Sequence, residues 1–226
     1  MSQTLQLNNL RVNSPSGRQI LELNELQLMP GETLGIAGPS GAGKTTLLYA
    51  RAGLLDECSG TIHWGEADIL AMTPAQRTDF RARNMGFIFQ DFMLFDELDA
   101  LENASVCELF RPRSERINLK KRAAGHLKRL GVGDENRTVD SFSGGERQRV
   151  AVARALANDA AVLLADEPTA SLDRQIANRL IDDLLAMAAD EGKTLIVVSH
   201  DEVLLERLNQ VIRLVDGALD VQTEGA

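Results

Sequence analysis

Cysteine is scarce: the chain has two, Cys58 and Cys107, isolated from each other and from any CxxC or Cys/His spacing, so both read as buried or idle thiols rather than metal ligands. Long apolar runs are missing too. The longest, "AAVLLA" at 160–165 and "TLIVV" at 194–198, fall far short of the roughly 18–20 residues that span a bilayer. The opening "MSQTLQLNNL" has neither a basic n-region nor an apolar h-region, which predicts no secretory signal and a cytoplasmic protein. A basic excess is also lacking. The net charge of −9 argues against a nucleic-acid binder that works through a broad cationic face, although a local basic site stays open. What is present is ordinary for a folded domain: 226 residues, 44% hydrophobic and 25% charged, without internal repeats or low-complexity tracts.

Three stretches of different character follow one another. Residues 1 to about 87 carry short strand signals: "LQLNNLRV" and "ILELNELQL" alternate apolar and polar residues, and "ETLGIAG" is a compact apolar strand running into glycine. From about 91 the pattern turns helical, with Leu119, Ala123, Leu127 and Leu130 at helix spacing and Gly131 as the stop. From about 143 the chain alternates a helix, the strand "AVLLAD", an amphipathic helix over 173–189 with Ile176, Leu180, Leu184 and Met187 on one face, and the strand "TLIVVS". Such alternation predicts a parallel α/β sheet. A β-hairpin around Asp216-Gly217 closes it.

The strongest chemical signal is Gly38-Pro39-Ser40-Gly41-Ala42-Gly43-Lys44-Thr45-Thr46, which contains G-x-x-x-x-G-K-[ST] directly after a strand and before a helical run. Glycines let consecutive backbone N–H groups turn inward on a phosphate, the helix N-terminus adds partial positive charge, and Lys44 can reach the β- and γ-phosphates. Thr45 offers a hydroxyl to Mg²⁺. In "AVLLADEP" a buried strand delivers Asp166 and Glu167 to its C-terminal end, where ligands bind in open parallel sheets. Asp166 is then the Mg²⁺ residue and Glu167 the group that polarises an attacking water. Without the glycine loop, the same pair reads as a cap for the next turn. His200 stands at another strand end, where a lone histidine is usually a loop residue. In "SFSGGERQRV", Ser143 and Glu146 fit a capping box; a phosphate clamp is the other reading, and it needs a phosphate from elsewhere.

With these pieces in order, the chain resembles the ATP-binding subunit of ABC transporters over nearly its full length. Phe142-Ser143-Gly144-Gly145-Glu146 corresponds to the family signature, Gln90 in "FIFQDF" to its Q-loop glutamine, Ser171-Leu172-Asp173 to its D-loop and His200 to its switch histidine. "GFIFQDFMLFDELDALENA" and "SFSGGERQRVAVARAL" look most like the lipoprotein-release, macrolide-export and cell-division subgroup. The resemblance implies an ABC-type P-loop NTPase of α/β class: a parallel-sheet core with an N-terminal antiparallel β subdomain over about 1–87 and 160–226, and an α-helical insert with the signature helix over about 91–158. It implies ATP and Mg²⁺, the ion held by Thr45, Gln90 and Asp166. It also implies a head-to-tail dimer in which Ser143, Gly144, Gly145 and Glu146, with Asp173, complete the site on the other copy's loop. Ser143 is then both cap and clamp. The partner implied is an integral membrane permease, which places the subunit on the inner face of the membrane. Phe92, Met93, Leu94 and Phe95 lie where the family docks a permease helix; half of them are expected to form the insert's own core and the rest to line a groove.

One departure concerns the base. The early aromatic that stacks on adenine in the family is absent from "LRVNSPSGRQI", which leaves an aliphatic such as Val12 or Ile20 for that place. Two other classes share parts of this pattern. A soluble ABC-type ATPase acting on DNA needs long coiled-coil insertions, and none fits between Lys44 and Ser143; a scaffold or regulatory role without transport is the remaining alternative. A GTPase needs Asn-Lys-x-Asp, which does not occur.

Overall fold

The computed structural model describes residues 3–133 and 137–220. Strands β1 (Leu5–Asn13), β2 (Gln19–Leu28) and β3 (Thr33–Ala37) lead into helix α1 (Lys44–Arg51), followed by β4 (Cys58–Trp64), the short β5 (Ala67–Asp68), α2 (Pro74–Asn84) and β6 (Met85–Ile88). Helices α3 (Ala100–Ser105), α4 (Arg113–Arg129) and α5 (Gly144–Ala157) come next. The chain then runs through β7 (Val162–Asp166), α6 (Arg174–Asp190), β8 (Thr194–Val198), α7 (Glu202–Leu205), β9 (Gln210–Val215) and β10 (Ala218–Leu219).

Two sheets result. An antiparallel one has the order β2-β1-β4-β5; a six-stranded one has the order β10-β9-β3-β8-β7-β6, parallel except for the terminal β9-β10 hairpin. The central strands explain the two uninterrupted apolar runs. In β7, Leu163 and Ala165 pack with the helical layer, while Val162 and Leu164 pack with α1 and the antiparallel sheet. A strand covered on both faces needs apolar residues at every position, not every second one.

The alternation read in β1 holds with one interruption. Leu5 and Leu7 are buried, and then Leu10 and Val12, because the pairing with β4 shifts between Asn8 and Arg11. Asn9 adopts φ +48° there, and a Cβ on the facing Gly60 would lie 2.3 Å from the Asn9 carbonyl oxygen. The extra residue of a bulge resets which face points inward. In the helical part, Leu119, Ala123 and Leu127 form the buried stripe of α4, and Gly131 leaves the helix at φ +71°. Gly131 thus supplies the left-handed exit at which helices end.

Arg51, the last residue of α1, is fully buried, and its Nε and both Nη atoms have no hydrogen-bond partner among the described residues. Its backbone oxygen accepts a bond from the Trp64 indole at 3.0 Å, but the guanidinium has no counter-charge among the described residues, and burial pushes its pKa down to about 9. An unpaired buried cation costs more than an apolar side chain of similar volume. Arg51→Met is therefore expected to stabilise the fold by about 1–4 kcal/mol, raising the melting midpoint by about 2–4 °C for each kcal/mol. Between pH 9 and the much higher pKa of the unfolded arginine, the unfolded chain binds the extra proton, so wild-type stability gains as pH rises and the variant's advantage shrinks. Thermal melts on both proteins at neutral and alkaline pH test this; a lower midpoint for Arg51→Met at neutral pH refutes it.

Candidate functional site

Three adjacent parallel strands set out the site. Ile36 of β3 and Asp166 of β7 both pair with Val198 of β8, so the loop after β3, the acids ending β7 and the residues after β8 meet at one edge of the sheet. That edge is formed by the strands' carboxyl ends, where open α/β sheets bind ligands. Gln90, two residues beyond β6, is carried to the same side because β6 runs parallel to β7.

The loop's shape depends on its first and last glycines. Gly38 sits at φ +139°, and a Cβ there would lie 2.2 Å from the Leu214 carbonyl oxygen of β9. Gly43 caps α1 at φ +94°, a left-handed conformation that a side chain opposes. Lys44, largely buried, donates to the carbonyls of Gly38 at 2.8 Å and Pro39 at 2.9 Å, which arches its ammonium back over the loop. The Thr45 hydroxyl donates to Asp166 Oδ1 at 3.2 Å.

Burial pushes the Asp166 carboxyl upward, against the pull of the Thr45 hydrogen bond and the charge of Lys44. Among the described residues, no cluster of three or more His, Cys, Asp or Glu could hold a metal alone. One buried carboxylate beside one hydroxyl is instead the donor set for a hard cation that shares its shell with phosphate and water, as Mg²⁺ does. Gln90 can add an amide oxygen from the wall of the cleft.

Glu167 turns out of β7 at φ +46°, held by its own N–H, which donates to Val198 O at 2.9 Å. Burial pushes its pKa up, offset mainly by His200. His200 donates its backbone N–H to Glu167 Oε2 at 3.3 Å, and its Nε2 lies 3.3 Å from Oε1. A cleft of about 720 Å³ opens on this pair, lined by Ser40, Gln90, Glu167, Thr169, Arg174 and His200 among others. Thr169 and Arg174 escaped the sequence reading, as did Asp201, which binds Arg174 Nη1 at 2.9 and 3.0 Å and accepts the Thr169 hydroxyl at 3.4 Å. Only the position of Asp201 directly after His200 hinted at it.

Ser143, Gly144, Gly145, Glu146 and Asp173 do not line this cleft. They gather at the starts of α5 and α6, next to Arg174, which does reach the cleft. Ser143 caps α5 in a full capping box: its hydroxyl accepts from Glu146 N–H at 3.3 Å, and Glu146 Oε2 accepts from Ser143 N–H at 2.9 Å. The Ser143 bonds and the nearby Arg137 hold the Glu146 carboxyl below the usual range. Asp173 caps α6 through the N–H groups of Gln175 and Ile176, and a Cβ on Gly145 would lie 2.8 Å from Ile176 Cγ2. Two helix N-termini therefore sit together with their caps outward.

The expectation for the base needs correcting at one residue. Val12 is 1% exposed, packed among Leu10, Leu21 and their neighbours in the core, because the β1 bulge turns it inward. It cannot face a nucleotide. Ile20 is half-buried, and its carbonyl oxygen lies 3.5 Å from where a Gly43 Cβ would be, which leaves it beside the loop.

The sequence profile of the ABC transporter family matches residues 21–170. An ABC transporter ATP-binding protein of Escherichia coli K12, YbbA, is 41% identical over 196 residues, covering 86% of each chain. The lipoprotein-releasing system ATP-binding protein LolD of Hyphomonas neptunium is 37% identical over 205 residues, covering 89% of this chain and 88% of that one. Among solved structures, a dimeric post-hydrolysis ATP-binding cassette bound to ADP and Pi superposes with a TM-score of 0.85 at 32% identity over 96% of both chains.

Proposed function

The chain belongs to the ABC transporter family as an ATP-binding subunit that hydrolyses ATP, and on that premise we propose how its own residues divide the work. The reading rests above all on the capped N-terminus of α5, whose Ser143–Glu146 turn lies outside the cleft formed by the phosphate loop and its acids. Two copies packed head to tail bring this turn of one against the cleft of the other. The Gly38–Thr46 loop and Lys44 bind the triphosphate, and Thr45, Asp166 and Gln90 hold Mg²⁺. The ion, when bound, neutralises phosphate charge. Glu167 takes a proton from water as its oxygen attacks the γ-phosphorus in line, and the bond to the β-phosphate oxygen breaks, leaving ADP. His200 positions Glu167 through the contacts described above. The N-terminal N–H groups of α5 on the second copy, with Ser143, Gly144, Gly145 and Glu146, meet the γ-phosphate, and Asp173 lies beside them.

The work is delivered to an integral membrane permease, which holds the subunit at the inner face of the membrane. Among the described residues no helix is long and apolar enough to cross a membrane. Of the four residues after the Q-loop, Leu94 packs on the helical core and Phe92 is half-buried, whereas Met93 is 58% exposed and Phe95 is exposed as well. Arg154 fixes this loop by donating to the carbonyls of Phe92 and Met93. Met93→Glu and Phe95→Glu should therefore leave melting and nucleotide binding intact, yet remove the permease from affinity purifications of the tagged chain. If both folded variants retain the permease at wild-type yield, the docking surface lies elsewhere.

A further inference from the structure

The charge of the chain is unevenly spread. Residues 111–129 hold eight of its 24 lysines and arginines against one of its 33 carboxylates, so the remaining chain carries sixteen cations against thirty-two acids. Half of the eight are already engaged. Arg111 bonds Asn158, Arg116 bonds the Arg111 carbonyl, Arg122 bonds the Ala157 carbonyl and Arg129 pairs with Asp190. The other four, Arg113, Lys120, Lys121 and Lys128, are exposed. Among the described residues none of the four has an acidic partner.

These four lie on one face of α4. At 100° per residue, positions 113, 117, 120, 121, 124 and 128 fall within an arc of about 100°. The middle of that arc is Ile117, 67% exposed. The 3-10 turn Val106–Phe110 before the helix adds Leu109 at 63% and Phe110 at 85% exposure. That turn neighbours the proposed docking loop, since Cys107 within it feels the charge of Arg154, which binds the Phe92 and Met93 carbonyls.

We propose that the exposed face of α4, with the Leu109-Phe110 turn, rests on an anionic phospholipid surface. A helix face that mixes unpaired cations with outward apolar side chains has the composition of an interfacial element, whose cations meet headgroup phosphates while the apolar groups enter the acyl boundary. The chemistry favours lipid over nucleic acid. Leu109 and Ile117 gain by leaving water for hydrocarbon and nothing on a phosphate backbone, and the acids elsewhere repel a polyanion long enough to pass over them. Screening within about 8 Å at physiological salt weakens the repulsion from acids farther than that from the surface α4 meets. The proposal needs neither nucleotide nor permease, so it stands or falls separately from the docking reading.

The test is sedimentation of the full chain with vesicles of phosphatidylcholine alone or mixed with phosphatidylglycerol, at two salt concentrations. The expected result is binding to the mixed vesicles only, weakening with salt. Each cation lost should lower the partition about fivefold, so Lys120→Glu combined with Lys121→Glu should lower it more than tenfold. Phe110→Ser with Ile117→Ser should weaken binding while leaving its salt dependence in place. Thermal melts and ATPase rates confirm that the variants are folded. Absence of wild-type binding to the mixed vesicles overturns the proposal. So does equal binding to both vesicle types, or binding indifferent to Phe110 and Ile117 that duplex DNA competes away, which marks a general polyanion site.

Discussion

Glu167→Gln should bind ATP with Mg²⁺ as the wild type does and turn it over about a hundredfold or more slowly, the usual loss when a general base is removed. Glutamine has the shape of glutamate and keeps an oxygen that accepts the His200 N–H, so the β7 turn and its contact with Val198 survive. What disappears is the basic oxygen. Because the nucleotide is still bound but no longer consumed, the variant should accumulate as a dimer in the presence of ATP, visible by size-exclusion chromatography, while phosphate release falls. The pH profile adds a second reading. Burial raises the pKa of Glu167, and the base works only when ionised, so activity of the wild type should fall away on the acid side at a pH above that of an ordinary glutamate. The residual activity of Glu167→Gln should lack that limb. Phosphate release at the wild-type rate removes Glu167 from the base position.

How far the sequence led depends on whether a feature is local. The Gly38–Thr46 loop was legible because glycine, lysine and threonine at fixed spacing determine their own backbone; the close approach of Leu214 to Gly38 is tertiary, but the glycine announces it. The Ser143–Glu146 box was legible for the same reason: both of its bonds span three residues. Val12 was misplaced because the bulge opposite β4 turns it inward, a shift that the change of parity from Leu5 and Leu7 to Leu10 and Val12 across Asn8-Asn9 already carries within β1. The engagement of Arg174 with Asp201 joins residues 27 apart across two helix starts, and neither belongs to a motif. Arg51 stands three and four positions after Leu48 and Leu47, on the stripe that α1 buries, and the fold buries it despite its charge. The apolar cluster after Gln90 was visible, but which of its members faces out was decided by the left-handed backbone of Phe92 and Met93, at φ +58° and +51°.

Two inactive variants should restore each other when mixed, provided the half-sites on one chain serve different nucleotides. Lys44→Ala removes the ammonium that the loop holds over its carbonyls, and loss of a charge-assisted contact to phosphate should weaken ATP binding by about 1.5–3 kcal/mol, some ten- to 150-fold. Gly144→Asp attacks the other half. Gly144 has open space around it, the nearest atom to a built Cβ being Ser171 O at 3.9 Å, and an acid in the first turn of α5 suits the helix dipole, so the variant folds. Its carboxylate, however, stands where the γ-phosphate of the opposite copy arrives, and juxtaposed like charges cost several kcal/mol, enough to reduce turnover more than about a hundredfold. Gly145 would be a poor choice for this test, since any side chain there strikes Ile176. In a mixed dimer, the intact loop of the Gly144→Asp copy faces the intact α5 terminus of the Lys44→Ala copy, and one complete site forms. Phosphate release from the mixture should then exceed that of either variant alone at the same total concentration. If the mixture stays as inactive as its components while wild-type chains mixed in the same way exchange partners, each chain completes its own site and the head-to-tail arrangement is wrong.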